Sequence, residues 1–174
     1  MLKIFKEKFK VGKLWKISSL LLIISCFIFG INIVLAQDYP QLANYYIRWD
    51  VSESQAEQLA KWDVVILDME VQWATPQAFQ TLRRLNPDIK ILAYITSQEV
   101  TTKNWSNQYL RTKLKQGISD SWYLKNSSGQ KLSQWPETYL LNMNSGWTNY
   151  LANFVNQEIM STGYWDGVFY DNLW

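Results

Sequence analysis

Hydrophobic residues form two alternating patterns from Gln37 onward, namely short continuous apolar runs and apolar stripes with helical spacing. The runs predict four strands, over residues 45–50, 64–70, 89–95 and 167–171. The stripes predict helices over residues 52–62, 75–86 and 147–160. Strands that alternate with helices in this order are typical of a parallel sheet built from βα units.

Capping residues support the first two helices. Ser52 is expected to cap the first helix, with Gln55 three residues later completing a capping box. For the second helix, Thr75 is the predicted N-cap, Pro76 the first helical residue, and Pro87 the stop.

A long excursion from Thr96 to Ser145 interrupts the short loops that join the other elements. Within it, SNQYLRTKL predicts a short helix, and WYLKNSSGQKLSQW predicts a hairpin that turns at Asn126 to Gly129. Loops of this length in a compact α/β domain are often functional. We therefore expect the excursion to carry substrate specificity.

The second and fourth predicted strands share a short internal match. KWDVVILD and YWDGVFYD both follow the pattern W-D-x-V-x-x-D. The match predicts equivalent places for Asp68 and Asp171, each at the carboxyl end of its strand.

The first 36 residues follow the plan of an export signal. Six lysines precede the apolar stretch ISSLLLIISCFIFGINIVLA, and Val34 and Ala36 suit a cleavage site before Gln37. Two alternatives remain open. Residues 17–36 are long enough to anchor the chain in a membrane if they are not cleaved, and IISC ending at Cys26 matches a lipoprotein signal. Each alternative predicts a secreted or extracytoplasmic protein.

Removing this leader changes the sign of the charge. The whole chain has 17 basic and 15 acidic residues, of which six lysines and Glu7 lie in the leader, so 11 basic and 14 acidic residues remain with a net charge of −3. A mildly acidic exported domain is poorly suited to bind phosphate backbones. The charge therefore predicts no nucleic-acid partner.

The residues after the leader also exclude several kinds of catalytic site. The chain has no histidine, and its one cysteine is Cys26. A Ser-His-Asp or Cys-His nucleophile and the usual zinc sites are thus excluded, and carboxylates remain for proton transfer. No metal or cofactor is expected. Nine of the ten tryptophans follow Ala36, either as core or as platforms for sugar rings.

Carboxylates lie at the predicted strand ends, which is where active sites of parallel α/β barrels are built. They are Asp50, next to Trp49, then Asp68 with Glu70, Glu99 and Asp171. Each could instead cap a helix or lie in a solvated loop. Glycoside hydrolysis requires two such groups, about 5 to 5.5 Å apart for retention and roughly 6.5 to 9.5 Å apart for inversion.

Three segments carry a resemblance to a known family. WDGVFYDN, YLLNMNSGWTNYLANFV and the hairpin with NSSGQK resemble the glycoside-hydrolase TIM-barrel families, in particular hypothetical glycosyl hydrolase family 15, over Tyr45 to Trp174. The resemblance implies that Asp171 is the nucleophile and that Asn142 helps to shape a sugar site. In related barrels the acid usually comes from a later strand, so the acid is either Glu99 or a residue beyond Trp174.

These observations together predict a leader over residues 1–36 and, over 37–174, the N-terminal half of a (β/α)8 barrel with about four βα units. The predicted function is hydrolysis of a polysaccharide or oligosaccharide by Asp171 and Glu99, with Trp49, Asp50, Asp68, Glu70 and Asn142 binding substrate. The alternatives are a non-catalytic carbohydrate-binding protein at the cell surface and an inactive fragment of a longer enzyme. If the half barrel is genuine, a homodimer could complete it. Sugar, linkage and stereochemical outcome stay open.

Overall fold

A four-stranded parallel sheet forms the centre of the computed structural model, which describes residues 41–172. The strands follow the order β1-β2-β3-β6, and their bounds are β1 Ala43–Tyr46, β2 Val64–Asp68, β3 Lys90–Thr96 and β6 Gly167–Asp171. The chain is thus a mixed α/β protein with a parallel sheet. The predicted leader over 1–36 lies outside the described residues.

The two faces of this sheet differ in what they carry. Residues on one face are buried against helices, and they include Val65, Leu67, Ile91, Ala93 and Ile95, all at 0% exposure. The register places Asp68 beside Tyr94, Tyr94 beside Phe169, and Thr96 beside Asp171 on the opposite face. The polar strand ends therefore share one face, away from the main core.

Five α-helices accompany the strands in the described part of the chain, and their bounds are α1 Glu53–Leu59, α2 Val71–Ala74, α3 Gln77–Leu85, α4 Tyr109–Gln116 and α5 Ser145–Phe154. A π-helical turn, Val155–Ile159, and a 3-10 turn, Met160–Thr162, continue α5 to Gly163, which has a φ of 73°. Among residues 41–172, no helix is long and apolar enough to cross a membrane.

The predicted caps have different outcomes. The capping box of α1 is confirmed, since Gln55 N donates to Ser52 Oγ and Ser52 N donates to Gln55 Oε1. The prediction for Thr75 is wrong, because α3 has Pro76 as its N-cap residue. The Thr75 hydroxyl instead accepts a hydrogen bond from Val51 N at 3.0 Å, which ties β1's loop to the start of α3.

The excursion after β3 folds back over the carboxyl end of the sheet. Its strand β4, Glu99–Thr101, pairs antiparallel with β5, Thr138–Leu140. Between them lie the predicted short helix, which is α4, and the predicted hairpin, whose turn is closed by a bond from Gly129 N to Asn126 O at 3.0 Å. The β4–β5 pair places Glu99 near the end of β3.

The internal W-D-x-V-x-x-D match corresponds to a repeated contact. Asp63 N donates to Leu42 O at 3.0 Å, and Leu42 N donates back to Asp63 Oδ2 at 2.7 Å. Asp166 makes the same reciprocal pair with Ile91, at 2.8 and 2.7 Å. Each aspartate of a Trp-Asp pair thus fixes the register of its strand against the neighbouring strand.

Candidate functional site

Two aspartates lie at carboxyl ends of strands on the same face of the sheet. Asp68 ends β2 and Asp171 ends β6. Tyr94 of β3 connects them, because its backbone is in register with Asp68 and its hydroxyl donates to Asp171 Oδ2 at 2.8 Å. Burial and this hydrogen bond raise the pKa of Tyr94, so its hydroxyl stays a donor at neutral pH.

Asp171 is held at both its side chain and its backbone. The Tyr94 hydroxyl donates to Oδ2, and the backbone N–H of Asn172 donates to Oδ1 at 2.9 Å. Its carbonyl oxygen accepts from the backbone N–H of Ser97 at 2.9 Å and from the Ser97 hydroxyl at 2.8 Å. These bonds fix the orientation of the carboxylate at the end of β6.

Glu99 reaches the same place from β4. Its Oε1 accepts a hydrogen bond from Asn172 Nδ2 at 2.7 Å, and Thr138 Oγ1 lies 3.4 Å from its Oε2. Burial raises the pKa of Glu99, and the negative charge of Asp171 raises it further. The structure therefore brings together the two residues that the sequence analysis named as catalytic.

The residue that joins them, Asn172, was missed by the sequence analysis. It has a φ of 57°, a left-handed conformation that asparagine tolerates better than most residues. Its backbone N–H donates a hydrogen bond to Asp171, and its side-chain amide donates one to Glu99. The only signal in the sequence is its place directly after Asp171, and that place does not reveal the backbone conformation on which the bridge depends.

Asp68 and Glu70 are buried, with 1% and 0% exposure. Asp68 pairs with the Arg111 guanidinium and accepts from Glu70 N at 3.0 Å. Glu70 accepts from the backbone N–H groups of Leu110 at 3.1 Å and Arg111 at 2.7 Å, at the start of α4. Burial raises the pKa of both carboxyls, against the lowering effect of these partners. Their described contacts attach α4 to the end of β2.

A pocket of about 220 Å³ adjoins Glu99, and its lining includes Trp49, Trp105, Arg111 and Thr138. The Trp49 and Trp105 rings contact each other with centroids 5.4 Å apart. Trp49 also lines a neighbouring cavity of about 660 Å³, together with Asp50. The structure thus places the predicted Trp49 in the pocket beside Glu99, and Asp50 in the neighbouring cavity.

Asn142 lies apart from this pocket lining. Its backbone N–H donates to Trp122 O at 2.7 Å, and its carbonyl accepts from Asn144 N at 2.7 Å. The side chain is exposed. Among residues 41–172, no group of three Asp, Glu, His or Cys side chains is arranged to hold a metal ion.

Solved structures similar to the chain include two glycoside-acting proteins. The glycoside hydrolase domain of PelA from Pseudomonas aeruginosa has 14% identity and a TM-score of 0.49, with 77% of this chain and 45% of that chain covered. A noncanonic maltogenic alpha-amylase, AmyB from Thermotoga neapolitana, has 12% identity and a TM-score of 0.49, with 73% of this chain and 38% of that chain covered. The chain therefore spans less than half the length of either structure.

No curated protein matches the chain. A family model does match it, over residues 83–174, which is just over half of its length and includes Glu99, Asp171 and Asn172. The matched model describes hypothetical glycosyl hydrolase family 15. The resemblance seen in the sequence is confirmed, and the chain belongs to hypothetical glycosyl hydrolase family 15.

Proposed function

We propose that this chain forms the catalytic part of an exported glycoside hydrolase that acts on a polysaccharide or oligosaccharide. Asp171 is the nucleophile or base in this proposal, and Glu99 is the acid. The observation that supports it is the bridge of Asn172 between the two carboxyl groups, at 2.9 and 2.7 Å, at the carboxyl end of a parallel sheet. Family membership supports a carbohydrate substrate.

The surroundings of Glu99 suit an acid that holds its proton. Its pKa is raised by burial and by the charge of Asp171. Asn172 donates to Oε1, so the proton belongs on Oε2. The Thr138 hydroxyl has a single hydrogen and makes its shorter bond, 2.9 Å, to Trp135 O, so at 3.4 Å it is only a weak partner for Oε2. Glu99 could then release that proton to a leaving-group oxygen.

The test is the loss of hydrolysis in two isosteric variants, Asp171→Asn and Glu99→Gln. We expect Asp171→Asn to lower kcat by a factor on the order of 10³ or more, because it removes the nucleophile or base. Glu99→Gln should lower it by roughly 10² to 10⁴, and least for substrates with good leaving groups. The measurement is release of reducing ends from a panel of polysaccharides.

Full activity of Asp171→Asn would refute the catalytic assignment. Ser161→Ala is a suitable control, because Ser161 lies before the start of β6 with its hydroxyl bonded to Gln157 O, whereas Asp171 lies at the carboxyl end of that strand. If wild type and variants all bind a polysaccharide without cleaving it, the non-catalytic carbohydrate-binding protein becomes the better account.

The proposal includes a half barrel and an exported location. The sheet order β1-β2-β3-β6 and the carboxylates at strand ends are compatible with four consecutive βα units of a (β/α)8 barrel. Export rests on residues 1–36 of the sequence alone. N-terminal sequencing of the protein recovered outside the cytoplasm tests it, and a chain that starts at Gln37 is the expected result.

A further inference from the structure

An exposed aromatic pair lies on the surface beside the candidate site. The Trp73 and Tyr109 rings stack with centroids 4.4 Å apart and an interplanar angle of 19°. Their exposed fractions are 61% and 45%, high values for such large apolar side chains. Each ring already limits the rotamers of the other. A ligand that stacks on the pair therefore loses little binding free energy to the ordering of these side chains.

Buried polar groups support both elements that carry the pair. Trp73 belongs to α2, which directly follows Glu70, and Tyr109 is the first residue of α4. Glu70 accepts the backbone N–H groups of Leu110 and Arg111 with both of its oxygens. The fully buried carboxylate therefore attaches the start of α4 beside the start of α2.

Gln72 fixes α2 from another direction. Its Nε2 donates to Glu158 O at 2.7 Å, and its Oε1 accepts from Trp165 Nε1 at 2.7 Å. The neighbouring Trp73 is thus an exposed ring on a helix that is anchored at Glu70 and at Gln72. Rigid support of this kind is what a preformed binding site requires.

The charge around the pair is balanced. Lys113 Nζ lies 6.0 Å from the Tyr109 ring centroid, but it pairs with Glu158 at 2.6 Å. The pair therefore presents flat apolar surface without a net charge to select an ionic partner. A sugar ring matches this chemistry, because its C–H face is apolar while its hydroxyl groups stay in water.

Sequence neighbours of the pair line a cavity beside the candidate site. The cavity of about 660 Å³ is lined by Ala74, which follows Trp73, and by Asn107, two residues before Tyr109. Trp49 lines the same cavity and also the pocket beside Glu99. The cavity is therefore bordered by Trp49 and by the immediate sequence neighbours of the aromatic pair.

From these observations we infer that Trp73 and Tyr109 form a remote sugar-binding platform, which holds a polysaccharide chain whose other units occupy the pocket beside Glu99. The inference rests on the proposed function for its ligand class, and it makes the substrate a polymer rather than a short oligosaccharide.

The test is binding of the full chain to polysaccharides by affinity gel electrophoresis in soluble starch, hydroxyethyl cellulose and chitosan. We expect at least one polymer to retard the wild type, and Trp73→Ala to weaken that retardation roughly tenfold through the lost stacking contact. Trp73→Phe should restore part of it. Leu85→Ala is the control, since Leu85 is 46% exposed but lies at the end of α3, before β3 begins and so at the opposite end of the sheet from both carboxyl groups, and it should bind as the wild type does.

Asp171→Asn separates this inference from the proposed function, because it should abolish hydrolysis but keep the retardation. Three results would overturn the inference. The first is equal retardation of Trp73→Ala and wild type. The second is no retardation of the wild type by any of the three polymers. The third is a change in the molecular mass of Trp73→Ala by light scattering, which would make the pair a contact between protein chains. Since Trp73 is a surface residue, thermal unfolding should confirm that the variant is folded.

Discussion

At the scale of single residues, the candidate site depends on the backbone conformation of Asn172. With φ at 57°, its N–H points to Asp171 Oδ1 while its side chain reaches Glu99 Oε1. An extended residue after a strand would continue the strand direction and could not make both contacts. One residue therefore couples the end of β6 to the start of β4.

Replacing Asn172 with glycine isolates the effect of its side chain. Glycine keeps the left-handed backbone without strain and keeps the N–H bond to Asp171, but it removes the donor to Glu99. That donor lowers the pKa of Glu99 against the raising effect of burial, so we expect the pKa to rise further in Asn172→Gly. Carbon-detected NMR titration of the Glu99 carboxyl measures it.

In Asn172→Ala the same rise in pKa should be accompanied by lower stability, because alanine adopts positive φ at a cost of roughly 1 kcal/mol. Asn126→Gly, at a turn far along the hairpin, is the control and should leave the titration unchanged. A Glu99 pKa that falls in Asn172→Gly would show that the amide does not favour the ionised carboxylate.

At the scale of elements, local signals were enough to predict most of the sheet. The apolar runs of β2 and β3 and the capping box at Ser52 depend on neighbours within a few residues, and the structure confirms them. The hairpin turn at Asn126 is similarly local. The first strand was predicted over residues 45–50, but β1 ends at Tyr46, because only Ala43–Tyr46 pairs with β2.

Other elements depend on contacts between distant residues. The β4–β5 pair joins strands of three residues that are about forty positions apart, each too short to be predicted from its own pattern. The second strand was predicted to end at Glu70, but β2 ends at Asp68, and the short helix that starts at Val71 was not predicted. Glu70 looks like a strand end until its contacts with α4 are known. Sequence patterns predicted that Asp68 and Glu70 bind substrate, but not that Arg111 pairs with Asp68 or that its backbone N–H donates to Glu70.

The Asp68–Arg111 pair makes the attachment of α4 sensitive to pH. In Arg111→Met, Asp68 remains at 1% exposure without its ion pair, which should cost about 3 to 5 kcal/mol of the free energy of unfolding at pH 7. Burial already raises the Asp68 pKa above its unfolded value, and loss of Arg111 raises it further. The native state of the variant therefore binds a proton at Asp68 more tightly than the unfolded state does. Its free energy of unfolding falls as pH rises through the folded pKa of Asp68, and it recovers as pH falls below that pKa.

Urea unfolding at pH 7 and pH 4 measures this effect. The loss in Arg111→Met should be large at pH 7 and much smaller at pH 4. Lys113→Met is the matched control on the same helix, since Lys113 makes an exposed pair with Glu158 and should change stability little at either pH. An equal loss for Arg111→Met at both pH values would mean that packing, and not the charge of Asp68, carries the effect.

At the scale of the whole molecule, the sheet has one face covered by helices and another with an aromatic row. On the second face, Tyr45 contacts Tyr94 and Phe169 with ring centroids 5.6 and 5.8 Å apart, and Tyr45 is 49% exposed. Within residues 41–172, β1 and β6 form the two edges of the sheet. In a closed barrel, further strands would pair with both edges and cover this row.

If residues 37–174 form a half barrel, as we propose, they should cover this face by self-association. We expect residues 37–174 to form a dimer, with twice the mass of one chain by light scattering after size exclusion, because exposed edges and an apolar face favour pairing. Tyr45→Lys should give the mass of one chain, since a charge on this face cannot be buried without a partner. Trp135→Lys changes an exposed aromatic residue elsewhere and should leave the dimer intact. A wild type that stays monomeric at its highest soluble concentration would show that the sheet needs no second copy, and the half barrel would then have to be stable with this face in water.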